Sequence, residues 1–166
     1  RKEFLTRSLN RFVSSYKAWF DVAEFQRSDG AYGWAADDLR RIVRQWYGGT
    51  DLSKLHDLTA AALVGLVPAA KAGTPEDVLV IYPHCWFPVA AAAEKANEDH
   101  IPLFGWKEDG WLDMPNEPSM DPVTPVAWYK ARRAEGFKIR QIGHDRKFAR
   151  EYFLSMKNEG FRVIDQ

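Results

Sequence analysis

A chain of 166 residues, 46% hydrophobic and 14% aromatic, is long enough for one domain burying roughly 70% of the surface its unfolded form exposes, and too aromatic for intrinsic disorder. No apolar run reaches the ~18 residues of a membrane-spanning helix, and the single cysteine, Cys85, excludes an internal disulfide framework and a cysteine-built zinc site. Lys plus Arg and Asp plus Glu each number 23, so the balanced charge excludes coating of nucleic acid by bulk charge and leaves room only for a locally basic groove.

The chain opens on Arg1 rather than Met and reads as a fragment. Leu5, Leu9, Phe12, Tyr16 and Phe20 recur at helical spacing. Gly30 and Gly33 interrupt the next stretch, and Arg40, Arg41 and Arg44 lead to an apolar segment. Residues 1–45 are therefore read as a lead-in arm and residues 46–166 as the main domain. The first strand of that domain is Trp46 to Leu52, with Gly48 and Gly49 allowing close backbone approach. Leu58 to Val67 is a nearly continuous apolar strand, hence central. A turn at residues 71–75 precedes a third strand from Val78 towards Trp86. Short links between three strands predict an antiparallel meander.

Pro88 opens an alanine-rich helix from Val89 to about Asn97. Residues 100–120 carry aromatics and prolines without one period and are read as irregular, apart from a short strand at Trp111 and Leu112. Thr124 and Pro125 supply an N-cap and a first-turn proline for a helix closed by Gly136. A fourth strand covers Phe137 to Gly143, a helix about Lys147 to Glu159 stops at Gly160, and a fifth strand covers Phe161 to Ile164. Three meandering strands extended by βα units predict an α/β protein with a mixed five-stranded sheet flanked by helices, the RNase H-like arrangement.

Asp51 and Asp145 both end strands of this scheme. If the first and fourth strands are neighbours, the two carboxylates emerge side by side at one edge. Like charges so close repel, and oxygen-only ligands would favour Mg²⁺ or Mn²⁺ as the remedy. Two such ions suit phosphodiester hydrolysis. Each aspartate serves equally well as a cap for the turn or helix after it. His144 is either a proton shuttle or, because strand neighbours alternate in direction, a packing residue. His56 stands in the loop beyond Asp51. Lys130, Arg132, Arg133, Lys138 and Arg140, followed by Arg146, Lys147 and Arg150, form either a phosphate-neutralising surface or a solvated helix face. Cys85 reads as a small buried side chain.

Tyr47-Gly48-Gly49-Thr50-Asp51-Leu52-Ser53, with Asp57-Leu58-Thr59-Ala60 after it, resembles the first nuclease motif of bacteriophage terminase large subunits. Phe4-Leu5-Thr6, Leu9-Asn10 and Ala18-Trp19 resemble the linker entering that domain. Ile142-Gly143-His144-Asp145-Arg146 and Glu159-Gly160-Phe161 resemble the second motif and its sequel, while residues 88–120 match only loosely. The resemblance implies the C-terminal RNase H-like nuclease of a DNA-packaging motor, cutting concatemeric double-stranded DNA with two divalent cations. It implies that Asp51 and Asp145 are metal-binding catalytic carboxylates, and that Asp57 either holds a metal-bound water or caps its turn. Arg146 would reach a phosphate or clamp Asp145, or else form a plain surface ion pair, and Lys147, Lys130 and Arg133 would meet DNA with it. A third metal carboxylate is expected beyond Gln166; neither Asp165 nor Asp121 is assigned that part. An N-terminal ATPase domain, a portal and a small terminase subunit are the implied partners, with no membrane, in the host cytoplasm at the procapsid. No Gly-x-x-x-x-Gly-Lys-Ser/Thr loop is present, so no ATP site is expected.

Three other readings share some of these features. A resolvase or transposase nuclease would use the same aspartates. A sugar-kinase or actin-like ATPase also opens on a strand and an aspartate, but its phosphate loop needs a glycine that Asp51-Leu52-Ser53-Lys54 lacks. A DNA-guiding module would keep the carboxylates as structural groups.

Overall fold

The computed structural model describes residues 22–53, 57–145 and 150–165. The helical spacing of Leu5 to Phe20 lies outside the described residues, as do His56, Arg146 and Lys147. The chain divides after Ala36 into two compact units. The first holds helix α1 (Val22–Gly30), followed by Tyr32 and Trp34, whose rings stack 4.3 Å apart.

The second unit starts within helix α2 (Ala36–Ile42) and contains a six-stranded sheet. Its strands are β1 (Trp46–Asp51), β2 (Thr59–Val67), β3 (Val78–Trp86), β4 (Leu112–Asp113), β5 (Ile139–His144) and β6 (Val163–Asp165). They lie in the order β4-β3-β2-β1-β5-β6. β1, β2 and β3 form the expected antiparallel meander, and β5 and β6 add on in parallel. The expected five strands thus hold their places in a mixed α/β sheet. The sixth, β4, pairs in parallel with the end of β3 through Cys85↔Leu112 and Trp86↔Asp113. It is the short strand expected at Trp111 and Leu112, displaced by one residue; two residues are too few to show a period that would place it in the sheet, hence the expected count of five.

Helices α3 (Ala69–Ala72), α4 (Val89–Asp99), α5 (Leu103–Glu108), α6 (Thr124–Ala134) and α7 (Arg150–Asn158) complete the unit. α5 falls in the stretch read as irregular. Phe87, Ala92, Leu103 and Leu112 form a small core there, with the half-buried Cys85 and Trp106 packed against it. Burial pushes the Cys85 thiol above its ordinary pKa, in keeping with an inert packing residue. The cap expected at Thr124 shifts. Val123 occupies the N-cap position without a side-chain bond, and Asp121 instead accepts the Val123 N–H at 2.9 Å. Gly136 and Gly160, the expected helix stops, adopt φ of 103° and 76°, a region open to glycine at no steric cost.

β2 alternates along its length, with Thr59, Ala61, Leu63 and Val67 buried. The register places these residues on the same face as Trp46, Gly48 and Thr50 of β1. α6 and α7 cover that face, since Tyr129 and Tyr152 both reach Thr50. Leu39 and Val43 are buried too, so residues 37–45, assigned to the arm by sequence, lie in the same compact unit as the sheet. The opposite face presents Tyr47, Leu66, Leu79 and Ile81 to solvent and leads along β1 to Asp51.

Candidate functional site

The parallel pairing of β1 with β5 aligns Gly48 with Ile142, Gly49 with Gly143 and Thr50 with His144. One residue further, Asp51 and Asp145 leave the sheet on neighbouring strands, whose backbones run ~4.8 Å apart in any sheet. Both aspartates are exposed, while Thr50 and His144 just before them are buried at 8% and 2% exposure. Alternation therefore sends Thr50, and His144 paired with it, towards the helices and gives Asp51 the open side; Asp145 follows directly after β5 and is exposed as well. The adjacency expected of the two strand ends is present.

The buried side of this edge is a hydroxyl cluster that the sequence does not announce. Tyr129 donates to the Gly49 carbonyl at 2.7 Å. Its hydroxyl lies 3.1 Å from Thr50 Oγ1, which lies 2.7 Å from the Tyr152 hydroxyl. A hydroxyl has one proton. With that of Tyr129 directed at Gly49, Thr50 donates to Tyr129 and accepts from Tyr152. Both tyrosines are fully buried. Burial is the main cause that pushes Tyr129 far above the usual phenol value and Tyr152 up to about 12, so both stay neutral at working pH. Buried tyrosines need a polar partner; a threonine one residue before a strand-end aspartate, with two tyrosines on later helices, is the only trace of this cluster in the sequence.

The ring of His144 packs against Tyr152 and Phe153, with centroids 5.6 Å away in each case. Its Nδ1 lies 2.7 Å from the carbonyl of Asp145. His144 thus takes the packing part and braces the backbone of Asp145 from below.

Asp57 is exposed, and its N–H donates to Ser53 Oγ at 3.2 Å. Ser53 also exchanges two hydrogen bonds with Thr59, of 3.1 and 3.0 Å, which closes the loop between β1 and β2. Lys95 is held in its charged form first by its bond to Asp99, with the charge of Asp57 adding to the effect. Lys130 binds Glu159 at 2.8 Å. Arg133 donates to the Glu159 carbonyl at 2.9 Å and sits 4.1 Å over the Phe161 ring. Glu159 stands seven residues beyond Tyr152, about 10 Å along the helix. The structure therefore does not gather Lys130 and Arg133 with the two aspartates; it engages them at the other end of α7.

Among the described residues no three His, Cys, Asp or Glu side chains converge as a complete metal cage. Two exposed carboxylates on adjacent strand ends still match a hard divalent cation, which takes oxygen donors and keeps several waters. The donor set of Asp51 and Asp145 fits Mg²⁺ or Mn²⁺.

No family model matches the chain. Over 78 residues, 47% of its length, it is 31% identical to the large terminase subunit of Enterobacteria phage HK97, and the match spans 14% of that protein. The crystal structure of the HK97 bacteriophage large terminase matches 99% of the chain with a TM-score of 0.59 at 17% identity, and the chain covers 39% of it. The chain thus spans well under half of either relative. The chain is thus similar in sequence to a large terminase subunit, and its fold is that of the part of the HK97 large terminase it covers.

Proposed function

We propose that this chain, a relative of the large terminase subunits, is the endonuclease domain of a viral DNA-packaging motor. It hydrolyses phosphodiester bonds of concatemeric double-stranded DNA with two divalent cations, Mg²⁺ or Mn²⁺. The observation that supports this reading above all is the parallel register of Thr50 with His144, which delivers Asp51 and Asp145 to one edge of the sheet.

Asp51 and Asp145 would hold the cations through carboxylate oxygens, with Asp57 bracing the loop behind Asp51. Bound there, divalent cations supply an acidified water as nucleophile and stabilise charge on the leaving 3′ oxygen. The chain supplies position. Thr50 and its two tyrosines fix β1, His144 fixes the backbone at Asp145, and the solvent-facing edge admits a duplex from the side of the sheet opposite α6 and α7. Arg146 and Lys147, next to Asp145 in sequence, would neutralise the flanking phosphates without reading bases. In this reading the domain works beside an ATPase domain, a portal and a small terminase subunit, in the host cytoplasm at the procapsid.

Supercoiled plasmid incubated with the purified protein should be nicked and linearised in Mn²⁺ or Mg²⁺. EDTA should stop the reaction, and ATP should neither accelerate it nor be hydrolysed. Cleavage that persists in EDTA, or an absence of cleavage in both metals, contradicts the proposal.

A further inference from the structure

We infer that Tyr152 is a positioning residue that sets the spacing of the two carboxylate-bearing strands, an inference that rests on the nuclease reading above. Tyr129 and Tyr152 both bond to Thr50, but they do different things. Tyr129 reaches Gly49 and Thr50 of β1 and, at 3.4 Å, the Ala62 carbonyl of β2. It ties β1 to β2 within the meander. Tyr152 hydrogen-bonds Thr50 on β1 at 2.7 Å and meets the His144 ring of β5 edge-on at 5.6 Å and 72°. It touches the two residues that the register pairs, each directly before one of the aspartates.

Beside the backbone ladder that joins β1 to β5, one fully buried side chain of α7 thus bridges the residues directly before Asp51 and Asp145. Rotation of either strand end would have to break the Thr50 bond or lift His144 from the Tyr152 ring. Movement of His144 would also disturb the Asp145 carbonyl that its Nδ1 holds. A cation shared between two carboxylates is sensitive to their spacing. The hydroxyl of Tyr152 acts on metal affinity through this geometry without touching metal or DNA.

The test measures Mn²⁺ binding without DNA, by loss of the free-ion electron paramagnetic resonance signal, alongside thermal unfolding in EDTA. Tyr152→Phe keeps the ring against His144 and removes the bond to Thr50. Thr50→Val removes the same bond from the other side together with the bond to Tyr129, and Thr50→Ser retains both. Tyr152→Phe should weaken Mn²⁺ binding roughly 3- to 10-fold, the scale of one lost hydrogen bond, and Thr50→Val, which loses two, at least as much. Thr50→Ser should bind nearly as the unaltered protein does. The Mn²⁺ concentration giving half-maximal cleavage should rise in parallel, while the rate at saturating Mn²⁺ changes little. If Tyr152→Phe and Thr50→Val melt earlier but bind Mn²⁺ like the unaltered protein, Tyr152 is merely structural and the inference fails while the nuclease reading stands. If the unaltered protein binds no Mn²⁺, both fail together.

Discussion

Replacing Asp51 or Asp145 by Asn should reduce DNA cleavage by about 100- to 1,000-fold, the usual scale for removing one preorganised charged group from a reaction centre. The substitution preserves shape and removes only the negative charge. Both side chains are exposed, and exposed substitutions of this kind alter stability by no more than about 0.5 kcal/mol. The melting temperature should therefore stay within a few degrees, so that lost activity cannot be ascribed to lost fold. Two ligands of one cation act as a unit, and the double variant should be hardly worse than either single one. Single-turnover nicking kinetics, paired with circular-dichroism melting, provide the measurement. Full cleavage by both single variants would remove the carboxylates from the reaction and leave them as caps.

The second large effect is on stability. A Cβ on Gly48 would stand 2.7 Å from Ile142 Cγ1 and 2.9 Å from Tyr129 Cε1, both in fully buried side chains. Gly48→Val adds three carbons there and should cost about 3 kcal/mol, the upper end for overpacking a core. For a chain of this length that corresponds to a melting temperature lower by roughly 6–12 °C. Because Tyr129 must retreat from Gly48, its bond to Gly49 should be lost and cleavage per folded molecule should fall too. Gly49→Ala is the internal control. Its added Cβ meets nothing within 4 Å, so urea unfolding should move by less than about 1 kcal/mol. If both substitutions prove equally harmless, β1 does not lie against Tyr129.

The parts of this fold that were legible in the sequence are those whose residues carry a period or a stop. β2 reads as central from its apolar run, and it lies between β1 and β3. Gly136 and Gly160 end their helices because the chain there turns into positive φ. The neighbouring positions of Asp51 and Asp145 follow from sequence only if the first and fourth strands pair, a condition that the parallel register of β1 with β5 meets. The features that escaped reading have no local signal. β4 is legible as a short strand at Trp111 and Leu112 but not as a member of the sheet, since its two residues are held by Cys85 and Trp86 from a strand distant in sequence. α5 is six residues, docked by burying Leu103 in the small core beside Phe87. The capping shift at Thr124 depends on Asp121 reaching forward to Val123. The hydroxyl cluster joins positions 50, 129 and 152, and only the folded sheet brings them within reach. Lys130 and Arg133 look like part of a basic surface in sequence, yet Glu159 engages both in space.

The most direct test of the shared-cation claim is anomalous scattering from a crystal of the protein soaked in Mn²⁺. Manganese peaks lying ~2.1 Å from oxygens of both Asp51 and Asp145 are the predicted result. Carboxylates turned to opposite sides of the sheet, with no manganese between them at saturating concentration, would contradict it.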